Sequence, residues 1–354
     1  MLLCGGKISQ INSDNGSNIH SPGSAMVSCR NPQSQYALLL PRLFLTLALG
    51  SAILLPSLYQ ASLDRIYAYL YNSSLYRAST FETFWTVFCY AVTEVGYVVR
   101  FVRNPHLRLA VQKDADTTKP IPKLTRPKHR IVEGLTYMAP LLLMDLTMIK
   151  KFGGVHVRDM ALSGNYNPDT VSMRGNFLVP SLHRFTLDSP LQTIRSLPPV
   201  PPTSRQLIVQ LAASIIIYDT LFFFFHLALH KLPFLNKIHS KHHKHGEINP
   251  QITNQLDIVE RLGLVLLANF SLNIIGSHVF TRTLFVPMFV WLLVDIHSGM
   301  DQEWGYDKLL PRGWAAGSKR HSQHHQNGTM YYEPFFNWWD DALLWLSQYY
   351  SSTE

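Results

Sequence analysis

Cysteine is scarce in this chain: Cys4, Cys29 and Cys89 are the only three among 354 residues. They are too few and too scattered for a disulfide framework or a thiolate metal site. Charge is scarce as well, at 15% of residues against 47% hydrophobic, which leans away from an ordinary soluble enzyme. There is no Gly-x-Gly-x-x-Gly following a strand, so no built-in dinucleotide domain is expected. No zinc finger, RNP motif or basic-aromatic platform accompanies the net charge of +8, so nucleic acid is not an expected partner. Residues 1–35 are rich in Ser, Asn and Gly and have no apolar core. They read as a disordered cytosolic tail and not as a secretory signal.

Long apolar runs are what the chain has in quantity. Residues 36–59, 81–102 and 206–225 each have about the length that crosses ~30 Å of hydrocarbon. A fourth run, 132–150, is weakened by Glu133, Pro140 and Asp145. Two shorter runs, 262–277 and 284–296, flank "HVFTRT" and at 16 and 13 residues predict a short, re-entrant membrane hairpin. The loop 103–131 carries eight Lys/Arg against two Asp, which by the positive-inside tendency places it in the cytosol. Counting spans from that loop puts the amino terminus, His226 and everything after His297 on the cytosolic side, and 151–204 with the sequon at Asn72 on the other. A soluble helical protein is the competing reading, but so many near-spanning runs are hard to bury in a chain of this size. The expected fold is an all-α integral membrane protein with about four spanning helices, a short membrane hairpin and a cytosolic, histidine-rich helical cap.

Histidine is unevenly spread: 11 of the 16 fall between His226 and His325. His226 and His230 are spaced i, i+4, on one helical face about a turn apart. His239/His242/His243 and His321/His324/His325 repeat the spacing i, i+3, i+4, which gathers each trio within one arc of a helix and predicts that each block points its rings one way. His297 in "DIHSG" adds a ninth ring on the same membrane face. His245 falls off that face and reads as a surface histidine. A histidine beside hydrocarbon needs a partner or a metal. One ion takes four to six ligands, so nine rings imply a dinuclear centre, and imidazole ligation alone leaves zinc, copper, iron and nickel open.

In this order the blocks resemble the fatty acid hydroxylase superfamily of membrane di-iron enzymes, which includes sterol desaturases, sterol methyl oxidases and the cholesterol 25-hydroxylase group. The similar stretch runs from about Tyr218 to Trp345. It contains "HLALHKLPFLNKIHSKHHKH", "HSGMD", "LPRGWAAGSKRHSQHH" and "EPFFNWWDD", the last three nearest to the sterol hydroxylase branch. It departs from the family pattern at Met300, where an aromatic is usual, and at "NQLDIVE", where relatives show His-Pro-x-Glu. The resemblance implies metal-ligand roles for His226, His230, His239, His242, His243, His297, His321, His324 and His325. It also implies two irons and O2 as co-substrate, acting on unactivated C–H bonds of a sterol or squalene-like lipid. Electrons would come from NAD(P)H through an external reductase and a b-type cytochrome in the endoplasmic reticulum membrane, with the active site facing the cytosol and 205–354 as the catalytic region after membrane helices in 36–204.

Outer-shell groups should fix the histidine tautomers. Asp219 lies seven residues before His226, about 10 Å below it by helical rise, and is expected to support another ligand or line the substrate channel. Asp295, Asp301 and Asp340 are alternatives by proximity in sequence. Hydroxylation is the leading reaction, with squalene epoxidation and then desaturation behind it. A metal transporter is the reading from a different class, but it predicts ionisable groups along several spans, whereas these ligands gather at one face.

Overall fold

Thr203, Asp257 and His278 each begin a long apolar helix by accepting a backbone N–H one turn in: Gln206 N at 3.1 Å, Val259 N at 3.1 Å and Phe280 N at 3.1 Å. The helices they open form the centre of the molecule. The computed structural model describes residues 32–113, 124, 130–163, 191–244 and 247–351. Among these there is no strand, only three isolated bridges, and fourteen α-helices. In chain order they are α1 (Pro32–Leu54), α2 (Ser57–Asn72), α3 (Ser74–Arg77), α4 (Phe81–Arg103), α5 (Leu109–Lys113), α6 (Arg130–Thr147) and α7 (Val157–Ser163). The second half contributes α8 (Ser204–Lys231), α9 (Pro233–His239), α10 (Ile258–Ile274), α11 (Val279–Ile296), α12 (Tyr306–Leu309), α13 (Gly317–Asn327) and α14 (Trp338–Ser351).

Among the described residues four helices are long and apolar enough to cross a membrane: Ala37–Leu54 within α1, α4, α8 and α11. The number matches the expectation, but the membership differs. The run at 132–150 does form a helix, α6, yet its polar residues keep it out of the four, and α11 takes the place. The hairpin of α10 and α11 is also longer than its hydropathy suggested, at 17 and 18 residues. Arg282, which broke the apolar run, lies inside α11. Its guanidinium bonds Asn273 at 3.1 Å and Asn269 at 2.5 Å and sits 3.6 Å from Glu82, so a buried charge there is matched by partners. Of the expected tail at 1–35, residues 1–31 lie outside the described residues, and α1 already begins at Pro32.

The bundle has two distinct ends. At one end α1 approaches the cap, where Arg42 bonds the Lys308 carbonyl at 3.0 Å; α4, α8 and α11 also run into this end, with the histidines. At the far end Ser204 and Arg205 bond the carbonyls of Ala52 and Ile53, and Tyr67, Tyr76, Phe152, Val279 and Phe280 pack together. The loop after α4 returns to the histidine end, where Leu109 N donates to Gly299 O at 2.8 Å. Asn72, beside the far-end cluster, is at the opposite end from the histidines, in keeping with the span count. Gly299 allows the chain to close up here: its φ is +65° and a Cβ would stand 2.0 Å from the Ile248 carbonyl oxygen.

Candidate metal centre

α8 continues beyond its apolar stretch, so its last two turns carry His226 and His230 into the cap. Pro233 opens α9, which ends at His239; His242 and His243 follow in a turn and not on the helix as the spacing predicted. His297 caps the carboxy end of α11, and α13 carries His321, His324 and His325. All nine rings meet, but each trio is divided, while His226 and His230 stay together. His226, His230, His239, His243 and His324 place one nitrogen each within 4.8 Å of one another, and so do His242, His297 and His325. His321 joins the second group, with its Nε2 2.9 Å from that of His297 and 3.2 Å from that of His325. In each trio the i, i+4 pair stays together and the i+3 ring crosses to the other group. On α13 the reason is angular, since i+4 and i+3 rotate to opposite sides of residue i; for His239, His242 and His243 the turn after α9 gives the same division. Each trio thus straddles the seam between the two groups.

Most rings are locked at their other nitrogen. Nδ1 of His226 faces Tyr332 O at 2.8 Å, that of His324 faces Met330 O at 2.8 Å, and that of His297 faces Leu293 O at 2.9 Å. His242 and His243 face the carbonyls of Gln255 and His325 at 3.3 and 3.4 Å. A carbonyl can only accept, so each of these Nδ1 atoms carries the proton and each Nε2 of a neutral ring is a bare lone pair. Glu260 Oε1 plays the same part for His239 at 2.8 Å. Yet Nε2 of His226 lies 3.0 Å from that of His239, which is 2.9 Å from that of His243, and His242 and His297 meet at 3.4 Å. Facing lone pairs at such distances repel unless a cation lies between them. Nitrogens each about 2.1 Å from one ion stand roughly 3.0–3.4 Å apart at right or tetrahedral angles. The donor set fits a metal on this ground.

The protonation state agrees. Burial, with help from the neighbouring His243, holds His239 down to about 2, and burial brings His324 down to about 3. Burial also pushes His242, His321 and His325 well below the usual imidazole range. These rings are neutral at physiological pH, as ligation requires.

Residues 211–344 match the family model described as fatty acid hydroxylase. The chain carries a fatty acid hydroxylase domain. Rat cholesterol 25-hydroxylase is 30% identical over 148 residues, covering 42% of this chain and 50% of the relative. A zebrafish (Danio rerio) cholesterol 25-hydroxylase-like protein is 33% identical over 140 residues, 39% of this chain and 56% of the relative. A methylsterol monooxygenase of Aspergillus fumigatus is 27% identical over 147 residues, 40% and 49% respectively. The chain thus spans about half the length of the curated relatives it matches. No solved structure matches it.

Within the fatty acid hydroxylase domain the expected outer-shell residues take unequal parts. Asp219 touches none of the nine rings. Its Oδ1 accepts from Phe335 N at 2.8 Å and Phe336 N at 3.2 Å. Asp340 accepts from Tyr332 N at 2.7 Å and Glu333 N at 3.0 Å. Together they clamp the segment whose Met330 and Tyr332 carbonyls hold His324 and His226. Between those carbonyls Tyr331 has φ +63°, the one positive value outside glycine among the described residues, so the clamp also holds a strained backbone. Asp295 accepts from Tyr97 at 2.8 Å and Gln302 at 3.0 Å, and Asp301 pairs with Lys308 and Lys319, so neither touches a ring. The residue overlooked was Glu260, the last letter of the departing "NQLDIVE". Its sequence signal was an acidic residue in the first turn after the Asp257 cap, 21 positions from His239. The carbonyl partners had no signal at all. His245 lies outside the described residues.

Proposed function

We propose that this chain is an O2-dependent membrane di-iron monooxygenase that hydroxylates a sterol or isoprenoid lipid, with 205–354 as its catalytic region. The observation that carries the reading is the set of bare Nε2 lone pairs facing one another at 2.9–3.4 Å, in two groups, at one end of a membrane bundle. The relatives with sterol substrates support the choice of lipid. His226, His230, His239, His243 and His324 would hold one ion and His242, His297, His321 and His325 the other. When bound, the metals supply O2 activation and attack on an unreactive C–H bond. The protein's own part is to keep the rings neutral, oriented and dry. The Nδ1–H bonds to Tyr332, Met330, Leu293, Gln255 and Glu260 set the tautomers of His226, His324, His297, His242 and His239 before any ion arrives. The packed helices hold the lipid carbon within reach and away from water. Electrons would reach the site from NAD(P)H through a reductase and a b-type cytochrome of the endoplasmic reticulum, docking on the cytosolic face beside the basic loop 103–131.

The test is turnover of the iron-loaded protein under labelled O2, with the lipid product analysed by mass spectrometry. One labelled oxygen per product is expected, from cholesterol if a saturated side chain is attacked and from squalene if an alkene is epoxidised. A dehydrogenated, unlabelled product means desaturation and overturns both. Tags at either terminus and near Lys113 are expected to be reachable from the cytosol and one near Asn165 protected; a protected carboxy terminus overturns the orientation.

A further inference from the structure

A cavity of about 450 Å³ lies between α4, α6, α10 and α11. Two of its four walls, α4 and α6, come from outside the fatty acid hydroxylase match. Along α11 it extends from Arg282 to Leu293, eleven residues or roughly 16 Å of helical rise. The middle is apolar, lined by residues such as Met144, Leu264, Val286 and Phe289. Leu266 and Phe270 border it and are also exposed on α10, so in a bilayer this wall would face the hydrocarbon.

The two ends differ in what they leave unmet. At the histidine end the cavity stops at Leu293 and at Thr253, Asn254 and Leu256. The Leu293 carbonyl holds His297, and that of Gln255, between the lining residues Asn254 and Leu256, holds His242, so this end is separated from the second ring group by the residues that orient it. Arg261, also there, donates to Asn254 O at 2.6 Å and stacks over Tyr137. At the far end Arg282 is buried and borders the cavity, and its Nε–H has no acceptor within hydrogen-bonding distance; Glu82 Oε1 is 3.6 Å away. A buried donor without an acceptor is costly, and an oxygen brought in by a ligand relieves it. The neighbouring carboxylates of Glu82 and Asp145 already pair with Arg195 and Lys150, so a neutral hydroxyl that both accepts and donates disturbs this network least.

We infer that this cavity binds a rod-shaped membrane lipid with one terminal hydroxyl, the hydroxyl beside Arg282 and the apolar tail at Leu293 against the residues that orient the second histidine group. The inference rests on the proposed lipid oxygenase and adds the direction in which substrate enters. A lipid without a polar end, such as squalene, leaves Arg282 unmet and binds less well. The cavity lies along the membrane normal, so the lipid enters between α6 and α10 and keeps the orientation it has in the bilayer.

The test uses the full, metal-loaded chain in lipid nanodiscs with two photoreactive cholesterol probes, one activated on the ring nucleus and one at the tail tip. The ring probe is expected to label Met144, Met148 and Asn269–Asn273, and the tail probe Val290–Leu293 and Thr253–Leu256. Unlabelled cholesterol should compete at least ten-fold better than 3-deoxycholesterol, squalene or palmitate. V286W, which fills the middle, should remove both labels, whereas H243A should keep them. Reversed labelling, labels elsewhere, or equal competition by squalene or palmitate overturns the inference even if the enzyme turns over. Labelling as expected with no oxygenated product from any lipid supports the inference and sinks the proposed function instead.

Discussion

The two ends of this bundle hold buried polar groups by opposite means. At the far end Glu82 and Asp145 meet Arg195, Arg282 and Lys150, with Arg195 Nη1 2.8 Å from Glu82 and its guanidinium over the Tyr76, Phe81 and Phe152 rings. Charges of opposite sign answer one another, and the network is nearly complete. At the histidine end nine acceptor-rich rings face one another, six of them with their Nδ1–H turned outward to carbonyls and Glu260. That end is the one the proposed metal ions would complete. The far-end charges therefore answer one another within the fold, with the Nε–H of Arg282 left over. The histidine end instead gathers lone pairs with no cation of its own among the rings, although both are clusters of buried polar side chains.

Substitutions can break this contrast. The largest effect is expected from H243A or H324A, each taking a ring from the five-membered group. Turnover should fall by roughly 10³-fold, about 4 kcal/mol of barrier, with insertion into the membrane unchanged. Product formation and metal content of the purified variants check it; a fully active double variant removes the metal-centre reading. At the other end, R195M strands part of the Glu82 charge and should lower stability by about 3–5 kcal/mol, while metal per folded chain stays at the wild-type value. Thermal unfolding in detergent alongside metal analysis separates the two. If R195M loses metal without losing stability, the division between the ends is wrong.

Smaller changes sharpen the comparison. E260A removes a partner from His239 and should weaken metal retention by roughly 10–100-fold, read by titration with a chelator, with little change in unfolding temperature of the metal-free protein. Y331G has the smallest expected effect. Relief of the positive φ is offset by the greater freedom of glycine in the unfolded chain, leaving stability within about 1 kcal/mol of the wild type. Loss of metal from Y331G would show that the ring of Tyr331, 5.3 Å from the Arg320 guanidinium, holds the loop more than the clamp does.

By itself the sequence determined the class of the protein and the identity of the nine rings. Apolar run length and the charge of 103–131 are properties of the chain in its solvent, and the i, i+3, i+4 spacing is a property of helical rotation; neither needs to know the partner. Only tertiary structure decided how those rings divide, because rotation alone cannot say on which side of a seam a residue lies until the second block faces it. The length of α11 was hidden for a similar reason: Arg282 looks like an interruption until Glu82, Asn269 and Asn273 arrive from other helices to match it. Asp219 was visible as a buried acid on the right face, but its partners, Phe335 N and Phe336 N, are backbone groups 116 and 117 residues away. The carbonyls that set the tautomers belong to every residue type alike, so no letter marks them, and only the fold brings them to the rings.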